Sequence, residues 1–175
     1  TIGITKGRWN SLLTELQQFK DDYDKNQPMW RCMPEFCAKQ PRYEKMGLRD
    51  LCQHVHSLYA KYDVAILSTD MYLSDHTPEM TPSEAFSCIA ARTTQRVPID
   101  DLEGRITTSL VTPYPPGIPL LIPGEVFNKK IVEYLKFNRA FARECPGFET
   151  DIHGLVQEED EAGQVQYFAD CVAKD

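Results

Sequence analysis

The sequence predicts an α+β chain: helices packed on a small mixed or antiparallel sheet. Three observations carry this. Four segments repeat apolar residues at three and four positions, the period of a helix with one buried stripe. Short β-rich segments near 97–99, 105–112, 118–122, 152–157 and 164–172 are bounded by turn residues. The third is VTPYPPGIPLLIPGE, residues 111–125, where Pro113, Pro115, Pro116, Pro119 and Pro123 exclude a helix and an unbroken central strand. Its apolar residues Val111, Ile118, Leu120, Leu121 and Ile122 are those of a buried crossing, not of a linker. A strand is expected to end near Thr112, bend at Tyr114-Pro115-Pro116-Gly117 and resume at Ile118. So stiff a segment loses little entropy on folding and can hold Tyr114 in a fixed place.

Taken in order, Thr5 to about Tyr23 reads as a helix capped by Thr5, with Trp9, Leu12, Leu13, Leu16, Phe19 and Tyr23 on one face. Thr1 to Ile4 is strand-like without an evident partner and suggests a piece of something longer. Residues 28–46 are irregular, with a short helix opening at Pro34, and Trp30, Met33, Phe36 and Tyr43 are expected to be buried. Leu48 to Tyr62 is the next helix. His54 and His56 lie beside its apolar face, two residues apart and so on different sides, which does not suit one metal ion. A loop runs through Ser74 to Pro78. Thr81-Pro82-Ser83-Glu84 is a capping box with proline at the first helical position. Val97 to Ile99 and Arg105 to Thr112 read as strands around an acidic turn at Asp100–Gly104. Val126 to Glu144 is a helix with Phe127, Ile131, Tyr134, Leu135, Asn138 and Phe141 inward and Glu125 at its positive end. Residues 152–157 and 164–172 form a hairpin around a solvated acidic tip.

Composition narrows the function. Apolar residues make up 42% and charged residues 26%, as in an ordinary domain with a real core. The net charge of −7 offers no basic stripe for nucleic acid, while it is compatible with a basic small molecule and also simply aids solubility. No apolar run approaches the ~20 residues that span a bilayer, and no basic, apolar leader opens the chain. The six cysteines show irregular spacing without a C-x-x-C pair, so buried free thiols in a reducing, cytoplasmic setting are expected.

Thr150-Asp151-Ile152-His153-Gly154 is the second stretch with chemistry. Asp151 and His153, two apart, share a face if this is a strand, and the carboxylate can orient the imidazole. A structural pair and a site pair are both open on these residues alone.

PYPPGIPLLIPGE (Pro113–Glu125), GFETDIHG (Gly147–Gly154) and IGITKGRWNSLL (Ile2–Leu13), in that placement, resemble the C-terminal part of bacterial ornithine/lysine/arginine decarboxylases. These are pyridoxal-phosphate enzymes with an aspartate-aminotransferase-like core. The resemblance implies that residues 1–27 end the small domain of that core and that residues 28–175 form the C-terminal domain. It implies Tyr114 and His153, with Asp151, at the substrate entrance, a basic amino acid as substrate, and a homo-oligomer whose interface this domain helps to build. ITKGRWNSLL leans towards the arginine branch. The family's cofactor lysine follows a serine-x-histidine motif, and no lysine here follows a histidine. Cofactor binding and bond cleavage are therefore expected outside this chain. Two other readings stay open: a dimerisation module without a catalytic role, and a stand-alone enzyme using His153, Asp151 and Tyr114 as acid–base groups.

Overall fold

The computed structural model describes residues 5–159 and 165–174. The strand expected at Thr1–Ile4 lies outside them, as does most of the acidic tip expected at Glu158–Gly163, whose first two residues, Glu158 and Glu159, still belong to a strand. By packing, the chain forms two compact units, Thr1–Ala60 and Lys61–Asp175. This division falls well past the boundary after residue 27 that the resemblance implies.

In the first unit, α1 spans Lys6–Asp24, and the Thr5 hydroxyl accepts from Arg8 N–H at 3.4 Å. Its stripe of Trp9, Leu12, Leu13, Leu16 and Phe19 stays between 47% and 56% exposed. Asn26, left-handed at φ 48°, explains why the unit does not divide after α1. Its Oδ1 accepts from Arg49 N–H at 3.0 Å and Asp50 N–H at 3.3 Å, and its Nδ2 donates to the Asp50 carboxylate at 2.8 Å. It thereby caps α4 (Leu48–Lys61) from across the unit. Gly47 allows this approach, because a Cβ there would lie 2.1 Å from Asn26 Oδ1.

Between these helices lie α2 (Met29–Cys32) and α3 (Pro34–Lys39). The expected burial here needs correction. Trp30 and Met33 are 53% and 45% exposed and Phe36 is half-buried, while Tyr43 is fully enclosed as expected and Met29 is enclosed as well. Met29 follows the bridge between Pro28 and Gly47, and its N–H donates to Met46 O at 2.9 Å, which turns it inward and its neighbours out.

The second unit opens with α5, Val64–Leu73, a helix the sequence reading left without an element. Next comes α6, Pro82–Ala91, with the capping box in place: Thr81 Oγ1 accepts from Glu84 N–H at 3.3 Å and Glu84 Oε2 from Thr81 N–H at 2.7 Å. The bonds that Thr81 N–H and, at 2.8 Å, Thr81 Oγ1 donate to Glu84 Oε2 hold the Glu84 carboxyl below its ordinary range. The strands are β1 (Thr94–Pro98), β2 (Thr112–Tyr114), β3 (Asp151–His153), β4 (Leu155–Glu159) and β5 (Val165–Val172), and α7 spans Lys129–Glu144. They form a three-stranded sheet in the order β1-β5-β4 and a two-stranded sheet of β2 and β3, with every strand pair antiparallel. Helices on small antiparallel sheets are the expected α+β class.

The details differ at three places. Residues 105–111 make single bridges rather than a strand: Ile106 with Val126, Thr107 with Cys171, and Val111 with Leu121. Threonine side chains take the ladder's place. Thr107 Oγ1 both donates to Ser109 O and accepts from Ser109 N–H, and Thr108 bonds Asp170 O. Among the described residues, 118–122 likewise keep only the Val111–Leu121 bridge, since Pro119 has no N–H to donate. The expected strand at 152–157 is divided at Gly154 (φ 88°), with β3 leaving for β2 and β4 pairing with β5.

The core of this unit lies under α7, which buries Ile131, Tyr134, Leu135, Asn138 and Phe141 as expected. The helix starts three residues later than expected because Asn128 is its N-cap, accepting from Ile131 N–H at 2.9 Å. Glu125 therefore does not sit at the helix start. It accepts from Ile122 N–H at 2.8 Å and closes the turn before it. All six cysteines are free, with Cys37, Cys145 and Cys171 buried, and burial pushes the Cys171 thiol up to about 12.

Candidate functional site

The proline segment is held at both ends of its bend. Gly117 N–H donates to Pro113 O at 2.8 Å, Tyr72 Oη donates to Ile118 O at 3.1 Å, and Val111 N–H donates to Leu121 O at 2.9 Å. Those bonds fix β2, and β3 pairs with it in the register Thr112–His153, Pro113–Ile152, Tyr114–Asp151. Side chains alternate across a strand, so Pro113 and Ile152 turn into the core and Thr112, Tyr114, Asp151 and His153 share the opposite face.

On that face the three residues singled out in the sequence meet. The rings of Tyr114 and His153 stack with centroids 5.0 Å apart and planes at 29°. His153 Nε2 lies 3.0 Å from Asp151 Oδ2. All three are exposed: Tyr114 is 52% accessible, and the side chains of His153 and Asp151 are 60% and 69% accessible. Leu110, Ile118 and Ile122, in or next to the proline segment, are exposed apolar residues.

Asp151 also lines a cleft of about 740 Å³ with Arg143, Glu149, Thr150, Gln157 and Tyr167. Burial, then the Glu149 carboxylate, raise the pKa of the Tyr167 phenol. The sequence reading missed this cleft, because its residues come from α7, β4, β5 and the turn before β3 and no local motif joins them. It also missed Tyr72 as the strut under Ile118. Tyr72 belongs to α5, whose residues are apolar on every side and give no amphipathic period.

The arrangement supplies a flat aromatic surface, a carboxylate and an imidazole, all open to solvent. It can bind and orient a cationic or polar group. It holds no enclosed nucleophile or buried acid–base pair, so the acid–base enzyme reading gains no support from it.

The Orn/Lys/Arg decarboxylase C-terminal domain family matches residues 65–173, more than half of the chain. The chain belongs to this family. It is 41% identical to the lysine decarboxylase LdcA of Pseudomonas aeruginosa, over 98% of the chain and 23% of that relative. The biodegradative arginine decarboxylase of Escherichia coli is 35% identical, over 88% of the chain and 21% of that relative. The solved structure of lysine decarboxylase A from P. aeruginosa superposes with a TM-score of 0.88, covering 97% of the chain and 23% of that structure. The chain thus spans about a quarter of the length of these decarboxylases. The lean towards the arginine branch is not supported, since the identity to the lysine enzyme is higher.

Pyridoxal phosphate needs an uncommitted lysine amine and donors for its phosphate. The groove of about 590 Å³ between α5 and α7 contains Lys130 and Lys136. Lys130 is held by Glu133 at 3.4 Å and Asp70 at 3.6 Å, and Lys136 by Asp100 at 3.7 Å. These residues do not fit the cofactor, and no reaction step is assigned to them. No helix among the described residues is long and apolar enough to cross a membrane.

Proposed function

We propose that this domain completes a pyridoxal-phosphate-dependent decarboxylase of basic amino acids, with lysine as the substrate, and that Tyr114, His153 and Asp151 form part of the substrate entrance. Cofactor and bond cleavage belong to the preceding part of the parent chain, of which residues 1–27 are the end. The observation that carries the reading is the exposed Tyr114–His153 stack, with Asp151 beside it, in a chain of this family. An aromatic face next to a carboxylate suits an ammonium group passing by, and the acidic balance of the chain favours a cationic substrate. The identity to lysine decarboxylase LdcA supports lysine over arginine. The same reading makes the enzyme a cytoplasmic homo-oligomer, with no nucleic-acid partner.

Steady-state assays of the full-length parent on lysine, ornithine and arginine test the substrate, with the highest kcat/KM expected on lysine. A strong arginine preference would return the protein to the branch its opening motif suggests. In the same enzyme His153→Ala is expected to lower kcat/KM by about 1–3 kcal/mol, the size of a lost hydrogen bond to a charged group. Cofactor absorbance and thermal midpoint should not change. Unaltered kinetics would leave the stack a structural feature of a domain that only builds an interface.

A further inference from the structure

We infer that Gly117 is a positioning residue for the entrance, because its missing side chain is what lets the Tyr114 ring lie over the turn and stack on His153. The inference rests on the entrance reading above for its functional consequence, and on the geometry of the turn for its cause.

A Cβ built on Gly117 would lie 2.8 Å from Tyr114 Cζ, 3.0 Å from its Oη and 3.1 Å from its Cε1. All three are atoms of the phenol ring's distal half, and none is backbone. The turn folds Gly117 back over Tyr114 because Gly117 N–H donates to Pro113 O at 2.8 Å with Gly117 at φ 82°. That backbone angle alone favours glycine. The ring contact is a second and separate requirement. On one side the ring occupies the space a Gly117 Cβ would take, and its centroid stands 5.0 Å from that of His153.

The other member of the stack has contacts of its own. Asp151 holds His153 Nε2 at 3.0 Å, and at Gly154 a Cβ would lie 2.2 Å from Leu110 O, so β3 seats directly against the residues before β2. Neither contact involves Tyr114, so a displaced Tyr114 ring leaves both in place. A methyl at position 117 must move the tyrosine ring, which swings about its own side-chain bonds. Pro113 and Ile152, which carry the packing, point the other way. Loss of ring position and loss of stability are therefore separable.

The test is a double-mutant cycle in the full-length enzyme with Gly117→Ala, Tyr114→Ala and the pair, reading kcat/KM, thermal midpoint and the crystal structure of Gly117→Ala. Tyr114→Ala is expected to lower kcat/KM at least about fivefold. Gly117→Ala should lower it by a similar factor alone and by less than about twofold in the Tyr114→Ala background, since coupled residues are not additive. Strain from the positive φ would instead lower the thermal midpoint equally in both backgrounds. If Gly117→Ala does not fold, Gly117→Asn takes its place, because asparagine tolerates the left-handed region yet carries a Cβ. The inference is overturned if the Tyr114 ring still stacks on His153 in the Gly117 variant. It is also overturned if the kinetic loss persists undiminished without Tyr114. If Tyr114→Ala leaves kinetics unchanged, the entrance reading fails, and the ring position alone decides the role of Gly117: displaced, it stands, and unmoved, it falls.

Discussion

Thr112 shares its strand face with Tyr114, yet its hydroxyl is buried without a hydrogen-bond partner among the described residues. A lone buried hydroxyl forgoes its bonds to water and gains nothing for them, whereas a methyl of the same shape does not. Thr112→Val is therefore expected to be neutral or to stabilise by up to ~1 kcal/mol, read as an unchanged or higher urea midpoint. A clear loss of stability would mean that the hydroxyl has a partner in the assembled enzyme. Asp100 shows the opposite case. Arg139 donates to both its oxygens, at 2.6 and 2.8 Å, and that bidentate pair holds the Asp100 carboxyl below its ordinary value of 3.8, with Lys136 helping. A depressed native pKa contributes stability that is present above the unfolded value and is lost as pH falls through the native one. Asp100 is half exposed, so water screens the pair and the contribution is below ~1 kcal/mol. Asp100→Asn should lower the urea midpoint slightly at neutral pH and make no difference at a pH well below 3.8, where the native carboxyl is itself protonated.

At the scale of elements, Asn128 decides where α7 begins and what it is tied to. Its Oδ1 caps the helix, and its Nδ2 donates to Ser74 Oγ and Asp75 O, both at 2.9 Å, joining the start of α7 to the loop after α5. Asn128→Ala should cost about 1–2 kcal/mol in chemical denaturation. Asn128→Asp should recover the cap but not the two donated bonds, and so fall between the two. Equal stability of the Ala and Asp variants would show that the cap contributes nothing. The same elements show what could be read in advance. The helices α1, α4 and α7 were legible because each has one apolar stripe, and α6 because Thr81 and Glu84 form a local cap. The face shared by Asp151 and His153 followed from their spacing in a strand, and the bend after Tyr114 from the prolines that follow it. Helix α5 was not legible, since apolar residues on every side leave no period to detect. Nor was the loss of strand character at 105–111: alternation survives there, but the threonine hydroxyls that take over the backbone bonds act through tertiary partners such as Asp170. The ring contact of Gly117 was hidden as well, because a glycine in the bend expected at Tyr114-Pro115-Pro116-Gly117 gave no sign of a neighbouring ring.

Over the whole molecule, the largest mismatch between sequence and surroundings is α1. Five large apolar side chains, Trp9, Leu12, Leu13, Leu16 and Phe19, recur on one face and none is buried. An apolar stripe of that regularity is the mark of a helix that packs against something. The chain spans about a quarter of the decarboxylases it matches, and on the proposal that it ends such an enzyme, the rest of that enzyme would cover the stripe. On the proposal that residues 1–27 close the preceding small domain, the stripe is buried in the full-length enzyme and open when these 175 residues are alone. Hydrogen exchange measured on both proteins checks this directly. The α1 amides should exchange at least tenfold more slowly in the full-length enzyme, while α7, whose inner face is already packed, should exchange alike in both. The isolated chain should also self-associate through the stripe, as uncovered apolar patches do. Leu12→Glu together with Leu16→Glu should abolish that association in sedimentation experiments and should destabilise the full-length enzyme, where the same side chains would be desolvated. Equal α1 protection in the two proteins, or a full-length enzyme indifferent to both glutamates, would place α1 on an outer surface and remove the basis for assigning it to the preceding domain.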